Sequence, residues 1–126
     1  MYNNHKTVHI SHDSQEDDVD EEIAPLILNL WKLDIEVQTS IYDKDHDLVW
    51  INFPITSAAE KFINIVYAHS HEEEHKDIHL RMLNQDGWEF YITPKFLTNW
   101  QFYFSMTVKF PISDLEFVMN QVEDEL

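Results

Sequence analysis

"FPISDLEFVMNQV" (residues 110–122) repeats the form of "FPITSAAEKFINIV" (residues 53–66). Each stretch starts at the Phe-Pro end of an alternating run, passes through Ser-x-x-Glu and enters a helical stripe. Ser57 with Glu60 and Ser113 with Glu116 have capping-box spacing, in which a hydroxyl and a carboxylate satisfy the orphan N–H groups of a helix start. Aligning the serines aligns the stripes: Ala59 with Leu115, Phe62 with Val118, Ile63 with Met119, Val66 with Val122. The spacing predicts a strand–strand–helix unit used twice, although convergence on good capping chemistry would produce the same likeness.

The flanking segments supply the strands. In "WQFYFSMTVKF" (100–110) every second residue from Trp100 to Phe110 is apolar, the signature of a half-buried strand. Ile35, Val37 and Ile41 alternate with Glu36, Gln38, Ser40 and Tyr42, and Val49, Ile51 and Phe53 share a face beyond the turn "DKDHD". Ile78, Leu80 and Met82 alternate, as do Trp88, Phe90 and Ile92. The intervening Asp86-Gly87 is a hairpin-turn signal, although "IHLRML" also fits a helix. "PKFLTN" reads as a loop.

Upstream, "KTVHIS" reads as a strand and "DSQEDDVDEE" as an acidic connector whose charge suits a helix N-terminus. "EEIAPLILNLWKL" then gives a helix with Ile23, Leu26, Ile27, Leu30 and Leu33 on one stripe, Pro25 in its first turn and Asp34 at its stop, a place Gly or Asn usually fills. The expectation is a single α+β domain over 1–126, with an acidic N-terminal arm over 1–20. It would have two layers: an antiparallel sheet of five to six strands with three helices on one face, a ββα internal repeat and a ferredoxin-like order in its first six elements.

Eight Lys+Arg against 24 Asp+Glu leave a formal net charge of −16. Nucleic acid is bound mainly through Lys and Arg, so nucleic acid and anionic membranes are unfavourable partners. A basic protein partner or a cation fits the charge, and solubility alone also accounts for it. There is no cysteine, hence no disulfide framework. No run approaches the roughly 20 apolar residues of a membrane span. A cytoplasmic location is the simplest expectation.

"DEEIAPLILNLWKLDI" (20–35), "GWEFYITP" (87–94) and "FSMTVKFPISDLEFV" (104–118) resemble a family of small uncharacterised bacterial α+β proteins with no assigned activity. The resemblance spans most of the chain from Asp20 onward and rests on structural motifs. The family often carries glycine at the Asp34 position and cysteine close to Ser40. This chain has neither, so a thiol role for that strand is absent. The resemblance implies a bacterial globular protein and nothing catalytic.

Two motifs suggest metal. "HEEEH" (71–75) fits H-E-x-x-H, in which two His one helical turn apart bind zinc and the Glu acts as base. His69, His71, His75 and His79 cluster nearby. The apolar stripe of the preceding helix stops near Ala68, however, and no third ligand stands at usable spacing, so a solvated His/Glu run is the simpler reading. "DKDHDL" has Asp43, Asp45 and Asp47 in EF-hand-like alternation, but Leu48 and Pro54 occupy positions that need Gly and Glu. A single glycine excludes glycine-rich phosphate loops. No catalytic, metal or cofactor set emerges.

The candidate surface is instead the second face of the sheet, polar and aromatic, represented by Gln38, Tyr42, Trp50, Tyr91, Gln101 and Tyr103. Tyr and Trp are enriched at interfaces, while a solvated face is also ordinary for an antiparallel sheet. The expected function is a non-enzymatic interaction protein, binding a protein partner or a second copy through that face or its acidic surface, in the manner of an inhibitor or immunity protein. The alternative is metal binding or metal-dependent hydrolysis at His71 and His75.

Overall fold

The computed structural model describes residues 6–70 and 72–126, apart from the side chain of His69. In chain order the elements are β1 (Thr7–His12), β2 (Gln15–Asp20), α1 (Ala24–Lys32), β3 (Thr39–Asp43), β4 (Leu48–Phe53), α2 (Thr56–Ser70), a 3-10 turn (Glu73–His75), α3 (Lys76–Asn84), β5 (Glu89–Phe96), β6 (Phe102–Pro111), a second 3-10 turn (Ile112–Asp114) and α4 (Leu115–Asp124). The chain is α+β with two antiparallel sheets: β1 with β2, and a four-stranded sheet in the order β3-β4-β6-β5.

This corrects the expected single sheet of five to six strands with three helices. The ferredoxin-like order is not formed, because β1 pairs with the acidic segment and stays out of the main sheet. The acidic segment is therefore a strand and not a connector. Asp13 turns the chain at φ 53, and the imidazole of His9 lies 2.9 Å from Asp18 Oδ1 and 3.2 Å from Glu16 Oε1. These cross-strand contacts offset part of the repulsion within so acidic a strand when His9 is protonated. Val19 and Asp20 are buried at its end, and Asp20 Oδ2 accepts the Tyr42 backbone N–H at 2.8 Å.

The main sheet consists of two hairpins, β3–β4 and β5–β6, each followed by a helix and joined antiparallel through β4 and β6. Val49, Ile51, Phe53, Val108 and Phe110 face inward and are fully buried. Phe62 of α2 sits on that face, 5.4 Å from the Phe53 ring and 6.5 Å from Phe110. Helix α1 packs against α4 and carries the β1–β2 hairpin, and α3 packs beside α2. α1 stops as expected at Asp34, which adopts φ 62. The N–H of Ile35 bonds to Leu30 O and that of Asp34 to Trp31 O, a Schellman stop with Asp where glycine is usual.

Residues 78–82 are helical, not a strand. α3 ends in the same motif, with Gln85 at φ 52 and bonds from Asp86 N to Arg81 O and from Gln85 N to Met82 O. Gly87 is thus a helix-to-strand connector. It has φ +83, and a Cβ there would lie 3.1 Å from Pro111 Cγ. The capping boxes are also not formed. α2 begins one residue before Ser57, and Ser113 lies inside the 3-10 turn that leads to α4, which has no side-chain cap.

What fixes the start of α4 is Asp114, 2% exposed. Arg81 Nη2 donates to its Oδ1 at 2.5 Å and Trp88 Nε1 to its Oδ2 at 2.9 Å. Trp88 in turn stacks on Phe110, 4.8 Å between centroids. The carboxylate ties α3, the entry to β5 and the entry to α4 together. Asp114→Ala leaves two donors unpaired and is expected to cost about 3 kcal/mol, read by urea unfolding. Asp114→Asn keeps one acceptor and is expected to cost less.

A pH effect is expected from the β1–β2 hairpin. The hydrogen bond that the His9 ring donates to Asp18, followed by the charges of Asp18 and Glu16, holds the His9 pKa above its usual 6.5. The protonated form is favoured on folding, so its contribution is complete below pH 6.5 and is lost as pH rises through the folded value. An NMR titration should find His9 above 6.5, with Asp18→Asn bringing it down.

Candidate interaction surface

The register sorts the side chains of the main sheet. On the outer face one row runs Ile41, Trp50, Lys109, Glu89, and the next runs Thr39, Asn52, Thr107, Tyr91. Thr93 with Ser105 and Lys95 with Tyr103 continue it toward the β5–β6 turn. Trp50, Tyr91 and Tyr103 therefore lie on the outer face, as the alternation predicts. Tyr42 does not. It pairs with Val49 and packs against the core, while Ile41 points outward and is 51% exposed. The chain bends at Gln38, so the alternation read from Ile35 slips by one residue and exchanges the faces. Gln38 precedes β3 and lines a shallow groove on this face. Gln101 lies in the β5–β6 turn, away from the sheet.

Several groups on the outer face satisfy one another, although the buried Nε1 of Trp50 has no hydrogen-bond partner among the described residues. Lys109 Nζ sits 3.9 Å from the Trp50 ring centroid, 5.1 Å from that of Tyr91 and 3.8 Å from Glu89 Oε1. The Tyr91 hydroxyl donates to the same Glu89 carboxylate, which raises the Tyr91 pKa above its usual value. Asn52 Nδ2 donates to Thr107 Oγ1 at 2.9 Å. The aromatic pair that looks ready for a ligand already holds the chain's own cation. Beside it the groove, about 340 Å³, is lined by Gln38, Thr39, Ile41, Trp50, Asn52 and Lys95, among others.

A different surface is unsatisfied. β4 ends at Phe53, opposite Met106, and Pro54 cannot extend the ladder. Residues 93–96 and 102–105 continue without β4 as a two-stranded arm. The side of the arm continuous with the core face carries Ile92, Phe96, Phe102 and Phe104, which are 60%, 79%, 56% and 47% exposed. Their rings are already mutually packed, with 5.8 Å between Phe96 and Phe102 and 5.3 Å between Phe102 and Phe104. Leu97 and Trp100 crown the turn, and Trp100 is 98% exposed. Trp100 also adopts φ 65, a conformation that strains a bulky residue by about 1 kcal/mol.

The alternation puts every second residue from Trp100 to Phe110 on one face, and residues 94–99 read as a loop. In fact β5 runs through Phe96, Trp100 is in the turn, and only Met106, Val108 and Phe110 reach the core. The signal for the arm was the length of the alternation, which outruns the helices available to cover it.

The metal motifs resolve differently. Glu72 is extended at ψ 145, so the described part of "HEEEH" is not one continuous α-helix. His71 and the His69 side chain lie outside the described residues. His75 packs its ring 4.4 Å from Phe117, and His79 accepts or donates to Ser70 Oγ at 3.0 Å. Glu72, Glu74 and His75 bring one ligand atom each within 4.8 Å, on the exposed connector. The "DKDHD" segment is a polar hairpin turn, with Asp43 accepting from Asp45 N and paired with the His46 ring. Among the described residues no helix is long and apolar enough to cross a membrane.

No protein-family model, curated protein or solved structure matches this chain.

Lys109→Met is expected to lower stability by about 1 kcal/mol, the scale of a partly desolvated cation–π contact, in urea unfolding. Glu89→Gln should move the Tyr91 titration, followed by phenolate absorbance, down toward its usual range.

Proposed function

We propose that this protein is a non-enzymatic interaction module, of the small bacterial family it resembles in sequence, that contacts another protein surface through the apolar side of the β5–β6 arm. The observation that carries this reading is the exposed aromatic row Phe96, Phe102 and Phe104, crowned by Trp100. Contiguous apolar surface of more than a few hundred Å² marks interaction sites on soluble proteins. Trp and other aromatics dominate the energetics of such contacts. The outer face of the sheet supports a secondary role, since its aromatics are engaged with Lys109 and its groove is shallow and lined by both polar and apolar side chains. The acidic remainder of the chain suits a second, basic contact of the inhibitor or immunity type, because a field of one sign steers an oppositely charged partner.

The reading is tested by separating folding from association. Phe96→Ser with Phe102→Ser removes the centre of the row from exposed positions, so circular dichroism and the melting transition should stay close to wild type. Cross-linking in native extract should lose its adducts, whether to itself or to another protein. Adducts that persist in the double variant would move the contact to another surface.

A further inference from the structure

Resting on that reading, we infer that the occupant of the arm is a second copy of this chain, packed face to face about a twofold axis. Four observations on the molecule converge on this occupant.

The first is area. From their fractional exposures, Ile92, Phe96, Leu97, Trp100, Phe102 and Phe104 leave roughly 700 Å² open, taking 150–250 Å² per large side chain. A stable interface needs about 800 Å² from each partner. Isologous packing of the arm against itself reaches that range with little help from its surroundings.

The second is charge. Residues 90–113 contain no Asp or Glu and carry only Lys95 and Lys109, in a chain with 24 acidic residues. Lys109 is already engaged by Glu89. The arm therefore lies within the longest acid-free stretch of a strongly acidic chain. A basic partner gains little there. A neutral, apolar, aromatic surface fits it, and the arm is itself such a surface. Apposing two arms also keeps the acidic portions of both chains outside the contact.

The third is the state of the sheet edges, which decides how two copies can meet. Leu97 N bonds to Gln101 O across the turn. By alternation, Thr93 and Lys95 direct their backbone groups toward β6, while Ile92, Pro94 and Phe96 direct theirs to the free edge. Pro94 thus removes a donor from the middle of that edge, a standard block to strand addition. At the opposite edge of the sheet the Asp20 carboxylate occupies the N–H of Tyr42. Extension by adding strands at these two outer edges is disfavoured, which favours contact through the apolar side-chain face of the arm, beside the stretch of β6 that runs beyond β4.

The fourth is the arm itself. A two-stranded ribbon is marginal alone in water, and its turn holds Trp100 in a strained conformation and fully exposed. Burial against a twin arm would support the ribbon and cover the exposed Trp100 ring.

The experiment is sedimentation equilibrium of the full chain across concentration, at low and high salt, with Trp100→Gly alongside. The expected result is a species of twice the 15.1 kDa chain mass. Its dissociation constant should fall with added salt, because salt screens repulsion between two chains of net charge −16. Trp100→Gly relieves the positive φ, so its melting temperature should be no lower than wild type at concentrations where both are monomeric, while its dissociation constant should rise at least tenfold. Phe96→Ser serves as the second variant and should weaken the dimer similarly. A monomer at every concentration and salt overturns the inference. So does a dimer indifferent to both variants. A monomer whose arm binds a different protein, or whose tryptophan emission shifts only on phosphatidylcholine vesicles, overturns it in favour of that occupant. The first of these two results leaves the interaction-module reading standing.

Discussion

A single buried carboxylate organises the second half of this protein. Asp114 accepts from a guanidinium on α3 and an indole at the entry to β5 while standing at the entry to α4. A buried, paired charge contributes little net stability, because desolvation consumes most of the attraction. Its value here is geometric. With both oxygens committed, α3 cannot rotate, Trp88 cannot leave Phe110, and α4 must begin where it does. The stacked Trp88–Phe110 pair then delivers β5 and β6 to the sheet in register, and the arm beyond them inherits its direction from that pair.

Much of this was legible in the residues. Val49, Ile51 and Phe53 alternate and are buried alternately, and the α1 stripe from Ile23 to Leu30 is wholly inside. Asp34 ends α1 where the stripe says it must. The failures have physical causes. "IHLRML" carries apolar residues at both periods, and only Met82 is buried, so its helicity is decided by the Schellman stop at Gln85 and by the reach of Arg81 to Asp114. The run "QEDDVD" reads as a connector because strand propensity is low for acids. Pairing with His9 and the burial of Val19 override that propensity. Asp114 looks like an ordinary acidic residue in a helix's first turn, since nothing local announces that it faces inward.

The candidate surface was legible in part for the same kind of reason. Alternation correctly sent Trp50, Tyr91 and Tyr103 outward, because β4, β5 and β6 are regular. It misplaced Tyr42 because a bend at Gln38 separates Ile35 from the strand that follows. It also put Phe102 and Phe104 on the same face as Val108 and Phe110, although no helix covers them there. A strand pattern gives which residues share a face. Whether anything lies over that face depends on the lengths of other elements and is not a property of the strand.

The junction of β4 with β6 has a consequence in time as well as in space. Asn52 and Thr107, which meet across it, are 55 residues apart in the chain. At synthesis rates of about 5–20 residues per second, the first hairpin emerges roughly 3–10 s before the strand that completes it. Until β6 emerges, β4 presents an unpaired inner edge and the apolar side chains of Val49, Ile51 and Phe53, with α2 the next helix made to cover them. The acidic segments that precede β3 are made earlier still, so the nascent half-domain already carries most of its N-terminal charge while it waits. That charge would keep neighbouring nascent chains apart until β6 arrives.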